Sequence, residues 1–223
     1  AFLFTFFRDP IKRCWSQYFD HARLQPHDYN HLPRTHREYY EAARSLPFAQ
    51  VLKTFKDEPF FRGIYEDRHC RTFVASTVNA SSFNSMSASE RFARAEDVLD
   101  HQIRFVGTQS DVGRSMRALA SLLGACPPAE RRLNVVQKEA KSSEDESAAN
   151  SMLEEMNQAD LKLYNFMQTR IMAGLAAADG YDESEFERHF AAARIRDLDE
   201  DIGLRRVYTM NHALIGSGFS GRD

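Results

Sequence analysis

The chain has 223 residues, 43% hydrophobic and 27% charged, with a formal net charge of -3, which is the composition of a globular domain large enough to bury a full core. The balance of charge speaks against a general nucleic-acid binder, which shows a basic excess. No apolar run approaches the roughly 20 residues of a membrane span, and no signal peptide is visible.

The run Phe2-Leu3-Phe4-Thr5-Phe6-Phe7 is almost entirely apolar. Extended over about 20 Å, it suits a central strand covered on both faces. A protein seldom begins inside a buried strand, so the chain reads as a fragment whose N-terminal strands lie elsewhere. Arg8-Asp9-Pro10 stops the run: Asp9 is a good N-cap and Pro10 fits the first helical position. Ile11, Trp15, Tyr18 and Ala22 then recur at helical spacing, with Arg13, Ser16 and Asp20 on the opposite side. Residues 25–37, with Pro26 and Pro33, read as a loop. Helices are expected over Glu38–Ser45, Pro47–Lys56 and Phe60–Ser76, followed by a Ser- and Asn-rich loop over Asn79–Ser87 that contains the glycosylation sequon Asn79-Ala80-Ser81.

Ser89–Gln102 is an amphipathic helix, residues 104–107 a short strand, and Asp111–Leu123 a helix ending at Gly124 before Pro127-Pro128. Leu133–Asn150 is polar and reads as mobile. A long helix is expected over Met152–Leu175, and another from Tyr181. Residues 216–223 read as a disordered tail, leaving 1–215 as one domain. Few strands among many helices give an α/β layered class, mostly helical with a few parallel strands. Cys14, Cys70 and Cys126 form no C-x-x-C pair, which disfavours zinc and leaves the redox compartment open.

The sharpest chemical feature is the strand-to-helix turn at Arg8. A helix N-terminus offers free N–H groups and a partial positive charge to an anion. Arg8, at the carboxyl end of the strand, can add forked bonds to phosphate. Ser16, two turns into the helix, can donate its hydroxyl to the same phosphate. The plainer reading is a helix start beside a surface arginine. His21, His27, His31 and His36 follow without thiolate or fixed geometry, and read as solvent-exposed or acceptor-contacting rather than metal-binding. His69 to Arg71 could line an acceptor groove, while Glu66, Asp67 and Arg68 read equally well as surface charge.

The stretch Phe4 to Tyr18, as apolar strand, Arg8-Asp9-Pro10, Arg13, Ser16 and Tyr18, resembles the 3'-phosphate motif of the sulfotransferases that use 3'-phosphoadenosine-5'-phosphosulfate, in particular the Golgi carbohydrate group. Phe105-Val106-Gly107-Thr108 with Ser115, Leu119 and Leu122-Leu123-Gly124 is similar to the family's next strand and helix, with Gln109 where glutamate is usual. Asn157-x-x-Asp160-x-x-Leu163-Tyr164 resembles its late helix. Together these cover most of Phe2 to about Arg170.

The resemblance implies an incomplete P-loop-like sulfotransferase core. It implies donor 3'-phosphate contacts at Arg8 and Ser16, a donor-loop contact at Lys138 with Lys141 nearby, and mainly structural roles for Arg13 and Tyr18. It implies 3'-phosphoadenosine-5'-phosphosulfate as co-substrate, no metal, and an acceptor hydroxyl on a carbohydrate. A Golgi location follows if the source is eukaryotic, with membrane attachment through an N-terminal anchor, and a cytoplasmic one if it is bacterial. The family's Pro-Lys-x-Gly-x-Ser/Thr-Ser turn for the 5'-phosphosulfate, and the base that accompanies it, do not occur in these residues, so the isolated chain is expected to be inactive. A non-catalytic nucleotide- or glycan-binding module on the same fold and a P-loop nucleotide kinase remain as alternatives.

Overall fold

The computed structural model describes residues 3–75, 77–123 and 143–179. Its elements run β1 (Phe4–Phe7), α1 (Pro10–Ala22), α2 (Pro26–Tyr29), α3 (Arg34–Ser45), α4 (Phe48–Phe55), α5 (Pro59–Tyr65), α6 (Arg68–Val74), α7 (Ala80–Ser85), α8 (Ala88–Gln102), β2 (Phe105–Thr108), α9 (Val112–Leu123), α10 (Ser143–Met156) and α11 (Gln158–Asp179). A short 3-10 turn, Gln109–Asp111, joins β2 to α9. Ala1 and Phe2, the Gly124 cap, Cys126, Lys138, Lys141, the helix expected from Tyr181 and the tail 216–223 lie outside the described residues.

The fold is mostly helical around one parallel pair of strands, compatible with an α/β class. Phe4 pairs with Phe105 and Phe7 with Thr108. Side chains alternate across a strand, so Phe4 and Phe6 point to one side of β1 and Phe7 to the other. Phe4, Phe6 and Phe105 pack with Met116, Ala118 and Leu119 of α9 on one side. Phe7 and Val106 meet α6, α7, α8 and α11 through Cys70, Val74, Phe83, Leu99, Leu163 and Met167 on the other. A second, aromatic core lies beside the sheet, where Trp15, Tyr39, Phe48, Phe61 and Tyr65 gather against Leu153.

Two segments expected to be helical, one of them as a single long helix, are each broken. The 60–76 helix divides into α5 and α6, with Asp67 in the left-handed region at φ 42°. The 152–175 helix divides at Asn157 between α10 and α11. Neither break carries glycine or proline, because the two breaks hold each other. Asn157 Oδ1 accepts from the Asp67 amide (3.2 Å), and Asp67 Oδ1 accepts from the Asp160 amide (3.0 Å). Asp160 in turn accepts from the amides of His69 and Cys70, both at 2.8 Å. The carboxylates of α6 and α11 therefore cap each other's first turns, the work an N-cap side chain usually does locally. Arg91 closes the hub, reaching Glu66 at 2.6 Å and Asp67 at 2.9 Å. Glu66 and Asp67 are thus buried ion-pair partners and not surface charge. Burial, followed by the nearby Asp160 carboxylate, pushes Asp67 up to about 6.

Three further segments read as loops contain helix. Residues 26–29 start at Pro26, and Asp28 Oδ2 accepts from the Gln25 amide at 2.7 Å; α3 then begins at Arg34, ahead of Glu38. The Asn79–Ser87 segment forms α7 because Asn79 Oδ1 caps Ser82 N at 2.8 Å and Phe83 is buried. Residues 143–150, read as mobile, belong to α10, whose Asp145 accepts from the Ala49 amide at 3.0 Å. That carboxylate serves α4, whose own N-cap residue, Pro47, makes no side-chain cap bond.

Asn157→Ala leaves the Asp67 amide and one Arg13 nitrogen without the same acceptor in a fully buried site. We expect a loss of about 2–4 kcal/mol in urea unfolding. A loss within about 0.5 kcal/mol would contradict the interlocked breaks.

Candidate functional site

A cavity of about 680 Å³ opens at the carboxyl edge of the strand pair, lined among others by Arg8, Asp9, Lys12, Gln109, Ser110 and Tyr164. Ligands of α/β sheets bind at that edge, where successive helices start. Asp9 caps α1, with its Oδ1 accepting from the Lys12 amide at 2.9 Å. This cap and Pro10 fix the direction in which α1 leaves β1. Arg8 is therefore held at the strand end, and among the described residues no carboxylate pairs with it. Lys12 is exposed and lines the same cavity, so two cations face it against the single carboxylate of Asp9.

The opposite wall comes from the end of β2. Thr108 Oγ1 accepts from the Ser110 amide at 3.2 Å, which turns the chain into α9. Ser115, fully buried, accepts from the Thr108 amide at 2.9 Å through Oγ. Gly107 is required here: a Cβ at this position would lie 2.8 Å from Phe6 Cε1 and 2.9 Å from Ser115 Cβ. Gln109 forms part of the cavity wall at the position where the resemblance has glutamate. It can donate or accept hydrogen bonds but carries no charge.

The structure brings segments from all three motif resemblances to this cavity: Arg8 and Lys12, Gln109 and Ser110, and Tyr164. Ser16 stands one turn beyond Lys12 on the same row of α1, about 6 Å farther along the axis, half-buried and not part of the cavity wall. Arg13 does not share its direction. Its guanidinium turns inward to the Ile64 carbonyl (2.9 Å), the Tyr65 carbonyl (3.1 Å) and Asn157 Oδ1 (3.3 Å). Tyr18 donates to the Leu46 carbonyl at 2.7 Å. Both are fastenings of α1. Lys12 and Tyr164 were legible only as members of a helix, since what they face depends on β2 and α11.

The histidines are dispersed. His27 and His31 are exposed, and His36 lies against the Phe60 ring at 4.0 Å. His21 departs from the exposed expectation: its Nδ1 is 2.6 Å from the Tyr39 hydroxyl and its Nε2 2.6 Å from Gln17 Nε2. Gln17 Nε2 can only donate, so His21 Nε2 accepts and Nδ1–H donates to Tyr39, the pattern of a neutral ring. Burial pushes His21 down to about 4. His69 sits beneath the sheet, 5.1 Å from the Phe7 ring, and burial holds its protonated form in disfavour. Cys14 and Cys70 are buried free thiols, and burial raises Cys14 to about 11. Among the described residues no group of three or more His, Cys, Asp or Glu could hold a metal ion, and no helix is long and apolar enough to cross a membrane.

No family model, no curated protein and no solved structure matches the chain.

Gly107→Ala forces Phe6 and Ser115 apart, and thermal unfolding should report a loss of about 1–3 kcal/mol; an unchanged midpoint would contradict the close approach of β2 to α9. The neutral His21 gives a pH dependence. Its folded pKa lies below the ordinary 6.5, so the unfolded chain takes the proton first. The stability it contributes is complete above pH 6.5 and is lost as pH falls toward 4, by up to about 3 kcal/mol. His21→Gln should flatten that slope, and an identical slope in the variant would refute the buried neutral ring.

Proposed function

We propose that the chain carries the donor 3'-phosphate site of a sulfotransferase that uses 3'-phosphoadenosine-5'-phosphosulfate, on a P-loop-like core, and that the acceptor is a carbohydrate hydroxyl. The observation that carries this reading is Arg8. Arg8 lines a cavity of about 680 Å³ with no carboxylate partner among the described residues, at the carboxyl edge of a parallel strand pair and beside the first turn of α1. A phosphate there meets a guanidinium, the Lys12 ammonium and the positive end of a helix. The gathering of all three motif segments around one cavity supports the same reading.

In the reaction, the acceptor oxygen attacks the donor sulfur as the bond from sulfur to the bridging phosphate oxygen breaks. The products are a sulfate ester and 3'-phosphoadenosine 5'-phosphate, and the hydroxyl proton passes to a general base. Arg8, with Ser16 approached along the Lys12 row, acts at the far end of the nucleotide. Its contribution is binding and positioning, which fixes the sulfur relative to the acceptor. The motif that would hold the 5'-phosphosulfate does not occur in these residues, so the part of the reaction proposed for this chain is donor recognition.

Calorimetric titration with 3'-phosphoadenosine 5'-phosphate tests this. A charge-assisted bond contributes roughly 1.5–3 kcal/mol, so Arg8→Ala should weaken binding about ten- to hundredfold, with Ser16→Ala weakening it less. Equal affinity of the unaltered protein and Arg8→Ala would overturn the assignment.

A further inference from the structure

A second cavity, about 460 Å³, is lined by residues of α6, α7 and the segment that joins them. Its wall includes Arg68, Arg71, Thr72, Val78, Asn79 and Phe83. Four arginines, Arg62, Arg68, Arg71 and Arg91, come close to Glu66 and Asp67. Those two carboxylates are already taken: Glu66 by Arg62 and Arg91, Asp67 by Arg91. Asp160, behind α6, spends its oxygens on the His69 and Cys70 amides. Among the described residues neither Arg68 nor Arg71 forms an ion pair, and both line the cavity.

The two guanidiniums sit three residues apart on α6, a spacing that places side chains on one face. Arg71 is held in a fixed plane. Its Cζ lies 4.4 Å over the Phe83 ring and one nitrogen donates to Asn84 Oδ1 at 2.9 Å. Its Nε is buried without a hydrogen-bond partner. Arg68 is exposed at the rim and donates to the Gly63 carbonyl at 3.1 Å. Burial above all holds Arg71 below its ordinary value; the Glu66 charge opposes this, and those of Arg91, Arg68 and Arg62 add to it. An unpaired, partly desolvated cation gains from an anion that brings its own acceptors.

We propose that the cavity between α6 and α7 is an oxyanion site, separate from the Arg8 cavity, in which Arg68 and Arg71 bind a sulfate or phosphate group against the apolar floor of Val78, Ala80 and Phe83. The group is a free ion or the head of a monoester whose body rests on that floor.

The test is titration of the 223-residue chain with inorganic phosphate, inorganic sulfate and glucose 6-phosphate, at ionic strength held constant with chloride, followed by calorimetry. Arg68→Gln alters only a rim residue and guards against loss of the fold; circular dichroism checks that the Arg68→Gln/Arg71→Gln double variant is folded. Saturable binding is expected to persist in Arg8→Ala, and in that background to weaken about tenfold with Arg68→Gln and to vanish with the double variant. Tighter binding of the ester than of the free ions assigns the site to an ester, and equal or weaker binding assigns it to the ion. Binding to the unaltered chain no stronger than the chloride response would overturn the proposal, as would full retention in Arg68→Gln and in a folded double variant, both in the Arg8→Ala background. Loss of binding in Arg8→Ala with retention in Arg68→Gln would place the anion in the first cavity and contradict the second site alone.

Discussion

The reciprocal capping of α6 and α11 is the constraint on which the remaining architecture depends. Asp67 accepts from the first turn of α11 and Asp160 from the first turn of α6. Asn157 joins the two by accepting from the Asp67 amide and from Arg13 of α1. Helices α1, α6 and α11 are thereby tied to one buried point, to which Arg91 adds α8. Removing one partner leaves the others unsatisfied in a low-dielectric interior, where an unmet hydrogen bond costs more than a met one contributes. The geometry of the Arg8 cavity follows from this: Arg13 anchors α1 to the hub, α1 leaves β1 at a set angle, and α11 delivers Tyr164 to the cavity wall.

Local signals in the sequence were sufficient where the cap and the capped amide lie within one turn. Asp9-Pro10 opens α1, and Ser87 with Glu90 opens α8 one residue before the expected start. The Phe-rich run reads correctly as a strand over Phe4–Phe7, where Phe4 and Phe6 pack into one cluster and Phe7 into another, while Leu3 is exposed. The breaks at Asp67 and Asn157 were not legible. A left-handed aspartate and a mid-helix asparagine look like ordinary helix-surface residues until their partners, some ninety positions away, are in place. Asp145 shows the same physics: in sequence it is one acid in a polar run, and in the fold it caps α4.

The chemistry divides along the same line. Arg8 is legible as the end of a strand beside a helix start, and the structure puts it in a cavity wall. Ser16 was grouped with Arg13 by helical spacing, yet Arg13 turns into the hub while Ser16 follows Lys12. In the sequence, Arg68 reads as surface charge beside Glu66 and Asp67, and Arg71 as a residue that could line an acceptor groove. Only the three-dimensional ion pairing reveals that Arg62 and Arg91 have claimed those acids, which leaves Arg68 and Arg71 lining a second cavity.

The most direct measurement pairs a deletion in the ligand with one in the protein. Calorimetry of adenosine 5'-phosphate and 3'-phosphoadenosine 5'-phosphate, each against the unaltered protein and Arg8→Ala, isolates the contact between Arg8 and the 3'-phosphate. If Arg8 holds that phosphate, the unaltered protein prefers the 3'-phosphorylated nucleotide at least tenfold and Arg8→Ala loses most of that preference. A preference of the same size in both proteins would show that the phosphate is bound elsewhere.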